Sequence, residues 1–185
     1  MNTDAGRPRL PRRGHPWQGA RRGAETEAAM TERERTLVRE FDGAPIARFF
    51  GMTLSYPEPG VARVDLPYNP NLDHALHGVH GGVIATLADI AGWFASAARR
   101  ESGWVATAEF RVHTLEHVER RALHGIGRVL RPGRAIDVCE MRILDEGQLL
   151  VAYGTGTFVP QPKVPFAGAP AADAAGKPTA AGGGG

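Results

Sequence analysis

Apolar positions along this chain switch between a helical and a strand period, and the switches outline one folded unit. Thr31 followed by Glu34 makes a capping box, and Leu37, Val38 and Phe41 then supply one apolar face of a short helix that Gly43 and Pro45 are expected to end. Residues 52–56 and 61–66 read as two short strands around the turn PEPG, with Ala62, Val64 and Leu66 alternating against Arg63 and Asp65. A loop rich in Pro, Asn, Asp and His leads to Gly81 and Gly82. The segment VIATLADIAGWFASAARR that follows is apolar nearly all round, the mark of a buried helix rather than a surface one. Beyond Gly103 the period returns to two: Trp104, Ala106, Ala108, Phe110 and Val112 are expected to face inward, and Thr107, Glu109, Arg111 and His113 outward. Strands over 121–130 and 135–144, joined at RPGR, and over 148–159, after the turn DEGQ, complete the pattern. Strands gathered around one wholly apolar helix predict an α+β fold, an antiparallel sheet wrapped around a central helix.

The ends of the chain carry no such pattern. Residues 1–29 are rich in Arg, Gly and Pro without an apolar period, and the segment after 160 is Pro, Ala and Gly. Neither can bury enough surface to offset the entropy of ordering, so the expected organisation is a disordered tail over 1–29, a domain over 30–160 and a second disordered tail over 161–185. Met30 is a candidate alternative start. The Arg-rich opening also fits a transit peptide or a nucleic-acid arm, but 22 Lys and Arg stand against 20 Asp and Glu, and that balance gives no global argument for nucleic acid. Cys139 is the single cysteine, which excludes a disulfide framework and a multi-cysteine zinc site and fits a reducing, cytoplasmic compartment. No apolar run is expected to reach the length needed to span a bilayer, so no membrane partner is expected.

Chemistry concentrates in HGVHGGVIATLADIAGWFA. Gly81 and Gly82 expose backbone N–H groups at the positive end of a helix, where a developing oxyanion is favoured; a tight turn is the plainer use of two glycines. Asp89 sits among Leu87, Ala88, Ile90 and Ala91, surroundings in which an unpaired carboxylate is costly and its pKa rises. Gly82 and Asp89 are seven positions apart, on one helix face but separated by about 10 Å along the axis. One carbonyl cannot touch both, so a working site needs antiparallel copies of the helix at a two-fold axis: a homodimer, or a dimer of dimers. His80 lies on the opposite face from Asp89. His74, His77 and His80, at three-residue intervals, raise metal ligation, but the loop offers no carboxylate ligand beyond Asp73, and no metal is expected. Arg131 and Arg134 flank the RPGR turn, suited to phosphate, and Phe94 with Trp93 could line an apolar pocket.

His80, Gly81 and Gly82, followed by Leu87, Ala88 and Asp89, resemble the HGGxxxxLAD signature of the phenylacetate-type branch of hotdog acyl-CoA thioesterases, in the 4-hydroxybenzoyl-CoA thioesterase superfamily. The resemblance covers roughly residues 44–160, including ATAEFRVHTL, RPGR and GTGTFVP. It implies a hotdog fold and hydrolysis of an acyl-CoA without a cofactor. Asp89 would act as nucleophile or general base, and the Gly81 N–H of the partner subunit would polarise the carbonyl. Thr107 matches a Ser or Thr that places the carboxylate or water, and His80 matches an orienting histidine. Six positions before His80 the family commonly has Asn or Gln as a second carbonyl donor. This chain has His74, so either His74 or Asn71 would serve. Gly82, Phe94, Arg131 and Arg134 are the expected substrate contacts. A non-catalytic acyl-CoA-binding hotdog protein is the alternative, one that would keep the glycines but need no carboxylate.

Overall fold

A computed structural model describes residues 30–164, so the segment 1–29 and the chain from 165 onward lie outside the described residues. Helix α1, Glu32–Gly43, opens on the expected capping box: the Thr31 hydroxyl accepts from the Glu34 N–H at 3.1 Å, and the Glu34 carboxylate accepts from the Thr31 N–H at 2.7 Å. Glu34 is itself buried and also accepts from the Gly60 N–H at 2.8 Å, which ties the helix to the first hairpin turn. Pro45 does more than end α1. It stands at the start of a further short helix, α2 (Pro45–Phe50), where a missing N–H costs nothing.

Strands β1 (Thr53–Glu58) and β2 (Val61–Leu66) form the first hairpin. After a 3₁₀ turn at Pro70–Leu72 and a loop comes the central helix α3, Gly81–Ala98. Then follow β3 (Trp104–Thr114), β4 (Leu123–Arg131), β5 (Asp137–Asp145) and β6 (Leu150–Gln161). The six strands make one antiparallel sheet in the order β1-β2-β4-β5-β6-β3, with α3 packed against one face: the hotdog layout. Pairing extends slightly past the expected domain end, because the Trp104 N–H donates to the Val164 carbonyl at 2.9 Å.

Close approach of helix to sheet depends on glycines in β4. A Cβ on Gly127 would stand 1.9 Å from the Ala91 carbonyl oxygen, and one on Gly125 would meet Leu87 at 2.9 Å. The helix backbone therefore rests directly on the strand backbone. By length and composition α3 could cross a membrane, contrary to the expectation that no run would be long enough. It is mostly buried within the sheet's embrace instead, as a core helix is.

Strand β3 corrects another expectation. Val105, fully buried, and Thr107 point toward α3, while Trp104 is 41% exposed. The pairing register with β6 shifts between Thr107 and Glu109, a bulge that changes which parity faces inward. Beyond it Phe110 pairs with Gly156 and Val112 with Gly154, both on the inner face as expected. A strict alternation over the whole strand could not be right, because one extra residue at Ala108 divides it into two phases. β3 is also an edge strand, and Phe110 remains 38% exposed although it sits on the inner face.

Candidate active site

Asp89 lies halfway along α3, half-buried, and accepts a hydrogen bond from the Thr107 hydroxyl at 2.9 Å. The strand that supplies Thr107 is one of the two edges of the sheet and the longer of them, so the carboxylate stands beside an edge that no other strand among the described residues covers. Burial pushes the Asp89 carboxyl above its ordinary range, and the Thr107 hydrogen bond partly offsets that rise. A carboxylate so placed gains basicity and keeps one donor that orients it.

The helix N-terminus is built around His80. Its ring Nδ1 accepts from the Gly82 N–H at 2.9 Å, a cap normally made by Ser, Thr or Asp, so Nε2 is left to carry the ring proton. This commits the Gly82 N–H to the protein itself. The Gly81 N–H, in contrast, has no acceptor among the described residues. Neither glycine has a positive φ, and a Cβ on Gly81 would meet nothing within 4 Å. A tight turn therefore does not explain Gly81: the backbone there suits any residue, and the space beside it is open. It is a free, exposed donor at the positive end of a five-turn helix. Eight residues separate it from Asp89, about 12 Å of helix, so the two cannot grip one carbonyl within a single chain.

The remaining expected residues divide. His74 is half-buried, its Nδ1 accepts from the Leu76 N–H at 3.1 Å, and its ring lies against His117, tilted by 40° with centroids 5.6 Å apart. Its Nε2 faces Gly78, where a Cβ would come within 3.0 Å of it, so the ring serves to pack the loop on itself. Asn71 is exposed, and its backbone N–H donates to the Asn69 side chain at 3.0 Å. Phe94 is in the core, edge-on to Phe41 and Trp93. Arg131 and Arg134 are exposed at the β4–β5 turn, with no carboxylate partner among the described residues. His74, His77 and His80 do not converge: among the described residues no three His, Cys, Asp or Glu side chains gather as metal ligands. Burial, with Asp137 nearby, pushes the Cys139 thiol up to about 12, which makes it inert at neutral pH.

Two buried carboxylates have no counterpart among the residues the sequence singles out. Asp137 is fully buried at the start of β5, and Asp145, at its end, takes Arg121 at 2.5 Å and the Leu149 N–H at 2.9 Å. Both occupy alternate, inward positions of a strand whose polar residues read as outward. Only the turns they anchor, RPGR and DEGQ, hint at them.

Comparison with known proteins gives the same picture from outside. A family model described as the thioesterase superfamily matches residues 77–152, the stretch from the loop before α3 into β6. A protein of Saccharolobus solfataricus, whose name gives an esterase as an inferred activity, is 27% identical over 113 residues, covering 61% of this chain and 81% of that protein. A thioesterase family protein from Silicibacter pomeroyi superposes with a TM-score of 0.63 at 25% identity, over 68% of this chain and 96% of that one. The E. coli PaaI protein of the phenylacetic acid degradation operon gives 0.63 at 18% identity, over 69% and 91%; at that identity the likeness speaks to fold alone.

Proposed function

Given a PaaI-like hotdog fold that carries the thioesterase-superfamily pattern across residues 77–152, we propose that this protein hydrolyses an acyl-CoA thioester at sites shared between two copies of the chain. The observation that carries the reading is the pairing of a raised-pKa carboxylate, Asp89, held by Thr107, with a free N–H at Gly81 that a single chain cannot bring to the same carbonyl. A partner helix running antiparallel across a two-fold axis would bring its Gly81 end to Asp89. The partner's N–H then stabilises the oxyanion as the thioester carbonyl becomes tetrahedral. Asp89 supplies the negative charge at the attacking side, either directly as nucleophile or by taking a proton from water. His80 keeps the glycine turn in register through its bond to the Gly82 N–H. Arg131 and Arg134, unpaired and exposed, suit the phosphates of the CoA nucleotide.

Exposure of Phe110 on the inner face of an edge strand supports the same assembly, since a second copy would cover it. Thiol release from a panel of acyl-CoA and aryl-CoA thioesters, with wild type beside Asp89→Asn, tests the chemistry. Hydrolysis by wild type and a loss of at least about a hundredfold in the variant are expected. Equal rates in the two proteins remove Asp89 from the reaction. Retention of acyl-CoA binding with no hydrolysis by either protein favours a non-catalytic binding role.

A further inference from the structure

Beyond Asp89 and its surroundings, the most heavily engaged side chain in the described structure is Asp137. It is fully buried at the junction of β5 with the β4–β5 turn. Its Oδ2 accepts from the Ser96 hydroxyl at 2.7 Å and from Arg100, and its Oδ1 accepts from Arg99 at 2.9 Å and from the Gly133 N–H at 3.0 Å. Arg100 also donates to the Gly133 carbonyl at 3.2 Å. Burial alone would raise this carboxyl, but the Gly133 N–H, the Ser96 hydroxyl and Arg100 together hold it below its ordinary range. The last turn of α3 and the RPGR turn are thus joined through one carboxylate.

That turn is built to a single shape. A Cβ on Gly133 would lie 2.2 Å from the Ile136 carbonyl oxygen, so only glycine fits there. The β4–β5 register shifts between Val129 and Arg131, a bulge that re-aims the strand end just where Arg131 leaves it. Such fixing is more than an idle surface turn needs, and what it presents are two exposed, unpaired arginines. Arg99 and Arg100 bind Asp137 beneath the turn, and Arg131 and Arg134 lie two and one positions from the Gly133 that Asp137 and Arg100 hold. Ser96 to Arg100 lie seven to eleven residues beyond Asp89, about 10–16 Å along the helix. That span is comparable with the extended arm between the sulfur of CoA and its diphosphate.

We propose that Asp137 is a positioning residue for the nucleotide phosphates of CoA: by locking Gly133 and Arg100 it holds Arg131 and Arg134 where those phosphates fall when the thioester is at Asp89. This rests on the acyl-CoA reading above and assigns that site its distal half. A preformed pair of guanidinium groups spares the substrate the entropy of ordering them, so the effect belongs to binding and not to the chemical step.

Asp137→Asn is expected to raise KM for an acyl-CoA about tenfold with kcat within about twofold, and to weaken binding of free CoA, read by calorimetry, by a similar factor. Hydrolysis of the same acyl group on N-acetylcysteamine, which lacks the phosphates, is expected to be unchanged. The KM effect should vanish when Arg131 and Arg134 are already Ala, because Asp137 then has nothing to position. If Asp137→Asn does not fold, Ser96→Ala, which leaves the carboxylate its other donors, and Arg99→Gln carry the same comparison with smaller shifts in the same direction. An equal loss on both thioesters, no change in CoA binding, or a KM effect that persists in the double-Ala background overturns the assignment. Absence of hydrolysis by wild type, with CoA binding that still depends on Asp137, sinks the hydrolytic reading and leaves this one standing.

Discussion

Gly81→Ala is expected to move stability and function in opposite directions. The structure leaves open space where the new methyl would go, and the φ at this position suits an L-residue. Replacing Gly under those conditions restricts the unfolded chain without strain, worth about 0.4–1 kcal/mol of added stability and a rise of a few degrees in Tm. Function should move the other way. If the Gly81 N–H of one subunit receives the carbonyl oxygen at a site shared with its partner, the N–H survives the substitution but the added methyl takes up space beside it that the thioester would approach through. Outright loss of one oxyanion donor costs about 2.7–4 kcal/mol, a fall of about 10²–10³ in kcat, which is the ceiling for crowding the carbonyl away from this one. The assay is steady-state thiol release next to thermal unfolding, with sedimentation of both proteins. A variant more stable than wild type, unchanged in its state of assembly and slower by up to about two orders of magnitude, is the expected result. Full activity would refute the role assigned to this N–H. A lower Tm would refute the open space beside Gly81. A dimer that falls apart would mean that the space is filled by the partner's own atoms and not by substrate.

Other outcomes follow from the same geometry. Because burial holds the Asp89 carboxyl above its ordinary range in the folded protein, ionising it opposes folding, and stability on this account is lost as pH rises through the raised value. Asp89→Asn should therefore raise Tm at neutral pH while abolishing turnover; an unchanged or lower Tm argues that the carboxylate is not desolvated in the fold. Thr107→Ala removes the one donor that lowers the Asp89 pKa. If the ionised form is active, the acid limb of the kcat/KM profile should shift to higher pH, and a shift to lower pH contradicts the assignment. Gly127→Ala would push a methyl into the Ala91 carbonyl, and an overpacking cost of about 1–3 kcal/mol should appear as a lower denaturation midpoint, whereas wild-type stability would mean that helix and strand do not touch at this point.

Elements whose signal is local are readable from the sequence, and features set by tertiary contact are not. The capping box at Thr31 and Glu34, the apolar helix and the hairpin turns all depend on residues a few positions apart. The two phases of β3 stay hidden, because an alternating pattern gives no sign of an inserted residue and the apolar side chains on both sides of Ala108 fit one unbroken phase. Asp137 and Asp145 look like outward residues, since an acid in a strand is usually solvated and nothing local shows that the ends of β5 turn under other elements. The glycines of β4 do leave a trace, since a spacing of two within a strand is what a helix lying on that face requires, but only the packed structure shows what they make room for. At the candidate site, the family resemblance points to Asp89 and Thr107, and the structure places them 2.9 Å apart. What His74 does is beyond it, because a ring folded onto Gly78 and His117 depends on a loop shape that no periodicity encodes.

Three features of the single chain each carry a cost. Asp89 is partly desolvated with one hydrogen-bond donor, the inner face of an edge strand leaves Phe110 uncovered, and the N-terminus of α3 carries a glycine that neither conformation nor crowding demands. A two-fold partner laid along β3, as proposed above, would answer all of them with one contact: it would bury Phe110, extend the sheet past this edge, and set a free N–H opposite a carboxylate that is too far from its own. The helix spacing makes this more than convenience. Moving Asp89 one or two turns toward Gly81 would put both groups in one chain and remove the need for a partner. If the site is shared, the eight-position spacing of Gly81 and Asp89 ties catalysis to assembly, so that dilution below the dimer's dissociation constant should extinguish turnover in proportion to the monomer formed.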